Sequence, residues 1–247
     1  MLREFRVDLH VHTGLSPCAS EEMSPPGIVR QATARGVDIL AVTDHNSAAN
    51  ALAVMTAGRR TGLTVVPGME LQTREDVHLL CLFESFDAAL EWQEEIYRRL
   101  PARENREDVF GPQWLYDDEG RVVGKLARLL STAAAISLEE AVEGVGSRSG
   151  VAIPAHIDRP GYGLLGQLGF VPPGLGVKAC EVSRQADLQA VRARSPGLQT
   201  MELVCFSDAH QLSDIGDSRT TLWLAAPTLG EIEKSLEGSA GRRVAGR

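Results

Sequence analysis

The sequence predicts an α/β fold built on a parallel sheet, and three observations carry that expectation. Short apolar, strand-like runs alternate with amphipathic helical stretches along most of the chain. These runs end repeatedly in a histidine or a carboxylate. The length, 247 residues, is enough for one barrel with a sizeable core.

The first strand is expected near Arg3–His12, with Phe5, Val7, Leu9 and Val11 on one face and Arg6, Asp8, His10 and His12 on the other. Ser24 before Pro25 is a helix start, and Gly36 is the stop. A second strand, Val37–Thr43, leads to Asp44-His45, and a second helix spans Ser47 to Thr61 before Gly62. Strands at Leu63–Val66 and Val77–Phe83 precede a third helix at Asp87–Leu100. Residues 101–136 break the rhythm and read as an insertion or lid, with Asp117-Asp118-Glu119-Gly120 as a hairpin turn. Ser137 to Glu140 is a capping box opening the next helix. Strands follow at Val151–Pro154, Val177–Ser183 and Leu203–Ser207, and Thr228 to Glu231 opens the last helix. One domain is expected over residues 1–238, with a disordered Gly-, Ala- and Arg-rich tail from Ser239 to Arg247.

Composition narrows the function. No run approaches the ~20 apolar residues that span a bilayer, and the start is no signal peptide, so no membrane partner and a cytoplasmic location are expected. The formal net charge of −8 argues against strong duplex nucleic-acid binding through a broad basic face. Cys18, Cys81, Cys180 and Cys205 are widely spaced and form no C-x-x-C pair, which argues against a zinc knuckle or a disulfide framework. Cys81, Cys180 and Cys205 read as buried small hydrophobes. Oligomeric state is left open.

All 6 histidines fall into short motifs near carboxylates. Imidazole is the commonest protein metal ligand, so a multi-metal hydrolytic centre is the economical reading. His10 and His12, two apart on a strand, point to one side. Asp44 beside His45 is expected to orient a neighbour. Glu70, in Pro67-Gly68-Met69-Glu70, is expected to follow the third strand. His78 and His156 follow or begin other strand ends, and Asp208 and His210 leave an apolar strand together.

In this order, Asp8-Leu9-His10-Val11-His12, Thr43-Asp44-His45, Pro67-Gly68-Met69-Glu70, His78, Pro154-Ala155-His156 and Ser207-Asp208-Ala209-His210 resemble the PHP (polymerase and histidinol phosphatase) superfamily. The resemblance runs from Val7 to about Gly216. It implies a distorted (β/α)7 barrel of TIM-like type with two to three divalent metal ions (Zn, Mn or Fe) at its C-terminal rim, and phosphoester hydrolysis. By the same resemblance His10, His12, Glu70 and Asp208 hold one ion, and Glu70 bridges to a second held by His78 and His156. His45 and His210 belong to a third. Relatives complete that third site at a position occupied here by Pro17 or Cys18; a thiolate binds zinc or iron, so Cys18 is expected to substitute.

The activity expected on this basis is hydrolysis of a small phosphorylated substrate, a phosphomonoester, by a metal-activated hydroxide. Glu70, Asp208 and His45 would be the catalytic residues, with Asp208 accepting a proton. Arg159 and Arg184 are the candidate substrate-binding arginines. Three other readings stay open: a nuclease of single-stranded or short oligonucleotides, a non-catalytic metal-binding regulatory module, and amidohydrolase-type chemistry.

Overall fold

The computed structural model describes residues 1–199 and 201–245. In chain order it runs β1 (Arg3–Val11), α1 (Pro25–Ala34), β2 (Ile39–Val42), α2 (Ala51–Arg59), β3 (Thr64–Gln72), β4 (His78–Leu82), α3 (Phe86–Arg99), α4 (Glu107–Phe110), β5 (Trp114–Tyr116), β6 (Val122–Lys125), α5 (Leu138–Gly146), β7 (Val151–Pro154), α6 (Leu164–Gln167), β8 (Ala179–Glu181), α7 (Leu188–Ala193), β9 (Glu202–Val204), β10 (Thr221–Leu224), α8 (Leu229–Leu236) and β11 (Arg243–Ala245).

Seven strands form one curled sheet in the order β11-β10-β1-β2-β3-β4-β7, and β8 and β9 form a separate parallel pair. Main-chain bonds link the segments around that pair to the end of β7 and to β1: Ile157 N donates to Glu181 O at 2.9 Å, and Ala209 bridges in parallel to Val11. The α/β class is as expected, but the sheet is mixed. β1, β2 and β3 are parallel, whereas β4 runs antiparallel to both β3 and β7. The cause is the length of β3. It continues through Pro67-Gly68-Met69-Glu70 to Gln72, so only Thr73–Val77 remain to reach β4. Five residues close a tight connection but not a crossover, which needs a dozen or more. Glu70 therefore lies inside a strand and not in a loop beyond one. Gly68 permits this pairing: a Cβ there would lie 2.5 Å from Cys81 O on β4.

Alternate residues of β2 feed two hydrophobic clusters. Ile39 and Ala41 pack with Phe5, Val7, Leu9, Leu80, Ile153 and Phe206; Leu40 and Val42 pack with Ile28, Val54, Met69 and Trp92. Both faces of the strand are covered, as in other α/β sheets. The simple alternation expected along β1 fails. Its register against β2 shifts between Asp8 and Val11, and Val11 joins the other cluster from Phe5, Val7 and Leu9. A bulge of this kind re-aims the side chains that follow it.

Helix boundaries follow the local chemistry. α1 begins after Ser24 with Pro25, and Gly36 takes a φ of +68° at its end. α3 and α5 open on Ser85 and Ser137, and the Ser137–Glu140 capping box is complete. α2 starts at Ala51, later than expected, because Asn46 and Asn50 are used elsewhere. Asn46 Nδ2 donates to Leu130 O and Thr132 O, and Asn50 Nδ2 to Thr13 Oγ1 and Trp114 O. These bonds fasten the insertion, where β5 and β6 form the expected hairpin, against the loop after β1. Within the stretch expected to be a disordered tail, β11 pairs antiparallel with β10, which itself pairs with β1. Residues 246–247 of that tail lie outside the described residues.

Candidate metal centre

Glu70 is the hub of the site. Its Oε1 lies 2.8 Å from His78 Nδ1, 3.0 Å from His156 Nε2 and 3.3 Å from His10 Nε2. Its Oε2 lies 3.0 Å from His45 Nδ1 and 3.4 Å from His12 Nε2. Five imidazoles thus meet one carboxylate that is 1% exposed. Asp208 closes the other side, with Oδ1 3.2 Å from His10 Nε2 and 3.4 Å from His12 Nε2. His210 stacks on His12 with ring centroids 4.2 Å apart, and Cys18 Sγ approaches His45 Nε2 at 3.3 Å. All nine residues expected as ligands converge.

Each element delivers its group for a local reason. His10 lies within the bulge of β1 and His12 just beyond it. Asp208 and His156 take positive φ values of +51° and +29°, so both segments turn sharply where their strands end. Such backbone is unfavourable for non-glycine residues and concentrates at functional sites. Main-chain bonds hold the Asp208 turn against β1: His12 N donates to Ala209 O at 3.0 Å and Ala209 N to His10 O at 3.2 Å.

Further residues set which ring nitrogen faces the centre. His10 Nδ1 donates to Glu181 Oε2 at 2.9 Å, which turns Nε2 toward Glu70 and Asp208. His12 Nδ1 lies 3.0 Å from Ser16 Oγ, which in turn donates to Asp44 Oδ1 at 2.7 Å. Asp44 accepts from Thr13 N and Thr13 Oγ1 as well, so it acts as the expected orienter rather than as a ligand. Partners of this kind fix ring tautomer and raise ligand basicity.

Glu181 and Ser16 escape the sequence reading. Glu181 ends an apolar run and looks in the sequence like any other glutamate; only the fold buries it, to 2% exposure, where a carboxylate needs a partner. Of the two arginines, Arg159 reaches the site, with Nη1 2.7 Å from Asp208 Oδ2. Arg184 instead pairs with Asp217 at 2.9 Å and Asp214 at 3.8 Å.

The electrostatics fit bound cations. Burial opposes ionisation of Glu70, yet the imidazoles of His78, His10 and His45 hold its carboxyl well below the usual range. Burial likewise opposes charge on His10, but Glu181, Asp208 and Glu70 raise its pKa well above the ordinary value. His12 is driven the other way, by burial and by the neighbouring His210 and His45. Burial raises the Cys18 thiol, but His210 and His45 overcome it and bring the pKa down to about 6. His156 turns Nε2 toward Glu70, and among the described residues its buried Nδ1 has no hydrogen-bond partner. Among the described residues, three groups have ligand atoms within 4.8 Å of one another: His12, His45 and His210; His10, His12 and Asp208; and His45, Glu70 and His78. The imidazole, carboxylate and thiolate set suits zinc, manganese or iron.

Residues 8–117 match the family model described as PHP domain. This segment is thus similar to the PHP domain, and members of that family are metal-dependent hydrolases that include phosphoesterases and nucleases. No curated protein sequence matches it. Among solved structures, the lesion-specific endonuclease Q from Pyrococcus furiosus is similar at 18% identity with a TM-score of 0.72, covering 98% of this chain and 58% of that one. An endonuclease Q complex with a 27-mer duplex bearing an abasic lesion at the active site gives the same identity and TM-score over 100% and 60%. An amidohydrolase from Chromobacterium violaceum is similar at 19% identity, with a TM-score of 0.56, over 86% and 90%. The chain thus spans 58–60% of the endonuclease Q chains. At these identities the likeness is one of fold.

The endonuclease Q complex corrects the expectation of a small phosphorylated substrate and no strong duplex binding. That protein, 60% of which this chain covers, is in complex with a 27-mer duplex that has an abasic lesion at the active site. A net charge of −8 averages over the entire surface and is blind to the field at one cleft. The absence of a membrane partner stands only as a structural fact: no described helix is long and apolar enough to cross a bilayer.

Proposed function

We propose that this chain is a metal-dependent phosphoesterase that cuts a phosphodiester in nucleic acid, on a distorted (β/α)7 barrel with its metal centre at the C-terminal rim. The observation that carries the hydrolytic reading is Glu70, one buried carboxylate reached by five imidazoles from four separate segments. The likeness to endonuclease Q supports nucleic acid as the substrate class.

His10, His12, Glu70 and Asp208 would hold one ion; Glu70, His78 and His156 a second; His45, His210 and Cys18 a third. Bound there, divalent ions would supply charge stabilisation to the phosphoryl oxygens and lower the pKa of water. The chain's own groups do the rest. Burial disfavours an ionised Asp208, but His10 and His12 hold its pKa well below the ordinary value, so it stands as a carboxylate able to accept the proton of the attacking water. Arg159, exposed and 2.7 Å from Asp208, presents a forked cation to the entering phosphate. His45, protonated or ligating, faces the leaving oxygen. Glu181 and Ser16 hold His10 and His12 in the tautomers the site needs.

The test uses metal-loaded protein on an end-labelled duplex with a central abasic site, the intact duplex and the single strand. Metal-dependent strand cleavage of any of these, abolished by a chelator, is the expected result. Full metal loading without cleavage of any strand would overturn the reading.

A further inference from the structure

The loop that follows β7 brings an aromatic ring to the mouth of the site. Tyr162 stacks on His78 with ring centroids 4.5 Å apart and planes 14° from parallel. The tyrosine is nevertheless 48% exposed. Its backbone is fixed: Tyr162 O accepts from His78 N at 2.9 Å. The loop is anchored from beyond as well, since Asp158 accepts from Ser183 N at 2.7 Å and from Ser183 Oγ.

The conformation is costly. Tyr162 has a φ of +61°, a region that bulky residues avoid. It sits between Gly161 and Gly163, and a Cβ on Gly163 would lie 2.3 Å from Arg159 O. Strain of this kind persists where the surroundings impose it, commonly at functional sites. No described hydrogen bond satisfies the hydroxyl, so the fold itself does not call for a phenol here. Three residues earlier the same loop places Arg159 on Asp208. One short segment thus sets a cation and a flat aromatic face beside the same centre.

We propose that Tyr162 is a stacking platform for a nucleobase next to the scissile phosphate, and so a residue that determines substrate class. The inference rests on the nuclease reading and deepens it. An aromatic face accepts any base, because every base has a π-face, and such stacking carries a substantial part of single-strand affinity. Arg159 would take the phosphate and Tyr162 the ring attached to it. A ring that merely shields His78 from water is the alternative, and the two differ in what removal of the ring changes.

The experiment is calorimetric titration of metal-loaded wild type, Tyr162→Ala and Tyr162→Phe with inorganic phosphate and with deoxyadenosine monophosphate. Elemental analysis of each variant runs alongside. The wild type is expected to bind the nucleotide roughly tenfold or more tighter than phosphate. Tyr162→Ala should lose that preference while its metal content and phosphate affinity stay at the wild-type level. Tyr162→Phe should keep the preference. Equal loss of phosphate and nucleotide affinity in Tyr162→Ala would overturn the proposal in favour of a ring that only supports His78. So would an unchanged nucleotide preference, or a wild type with none. Failure of the nuclease reading shows separately, as the absence of strand cleavage by wild type, and a Tyr162-dependent nucleotide preference would still assign the ring its role.

Discussion

Glu181 and His10 form a buried pair in which Glu181 Oε2 lies 2.9 Å from His10 Nδ1, and this bond decides which nitrogen of His10 looks into the metal centre. Glu181 Oε2 also accepts from His156 N at 3.2 Å, so a single carboxylate braces two candidate ligands. Substitution Glu181→Gln should weaken metal binding by roughly 10- to 100-fold, the usual cost of losing a partner that orients a ligand. Competition of each protein against a chromogenic chelator measures this. Unchanged affinity would show that His10 keeps its orientation without Glu181.

Cys18 gives a chemical handle on the third site. In metal-stripped protein its thiol, brought down to about 6, should alkylate with iodoacetamide as the pH rises through that value. Cys81 and Cys180, pushed up to about 12 by burial, should stay unmodified. Added zinc or manganese should protect Cys18. Peptide mass spectrometry reads all three thiols at once, and alkylation of Cys18 at the same rate with and without metal would contradict its place as a ligand.

Gly68 is expected to resist substitution. A Cβ would press within 2.5 Å of Cys81 O, a backbone atom that cannot move without parting β3 from β4. Gly68→Ala should destabilise by about 1–3 kcal/mol or more, the cost of overpacking a filled interior. It should also lower metal affinity, because Glu70 lies two residues further on the same strand. Thermal unfolding monitored by circular dichroism tests the first part, and an unshifted midpoint would refute it.

Glu231 links the tail to the last helix. Bonds from Arg242, from Ala225 N and from Lys234 bring its pKa down to about 2. A carboxyl depressed on folding contributes stability that is present above its unfolded value, about 4.3, and lost as the pH falls toward 2. Wild type should therefore unfold at a higher temperature than Glu231→Gln at pH 7, with the gap closing between about pH 4.3 and 2. A gap that is the same at both ends would refute this account of β11 and its anchoring.

Much of the site was legible in the sequence because its ligands sit in motifs only a few residues long. His10 and His12, Asp44 and His45, and Asp208 and His210 each travel together, and the fold needs only to bring the motifs to one place. What stayed hidden depends on distant pairing. Glu181 looks like any glutamate after Ala179-Cys180 until His10 is packed against it. Tyr162 looks like a loop tyrosine between glycines until β4 places His78 beneath its ring. The bulge in β1 left no mark in an alternating run. The strand at Arg243–Ala245 looked like a flexible tail because its pairing partner, β10, was itself unrecognised. Net charge is blind for a related reason: it is a sum, and recognition is local.

Glu70 carries the central claim, since every proposed ion but the third is held through it. The most direct test is elemental analysis and strand cleavage on the same samples of wild type and Glu70→Ala. Wild type should hold two to three equivalents of transition metal and cut, while Glu70→Ala loses metal and cleavage together. A folded Glu70→Ala with wild-type metal content and activity would contradict the account of the site.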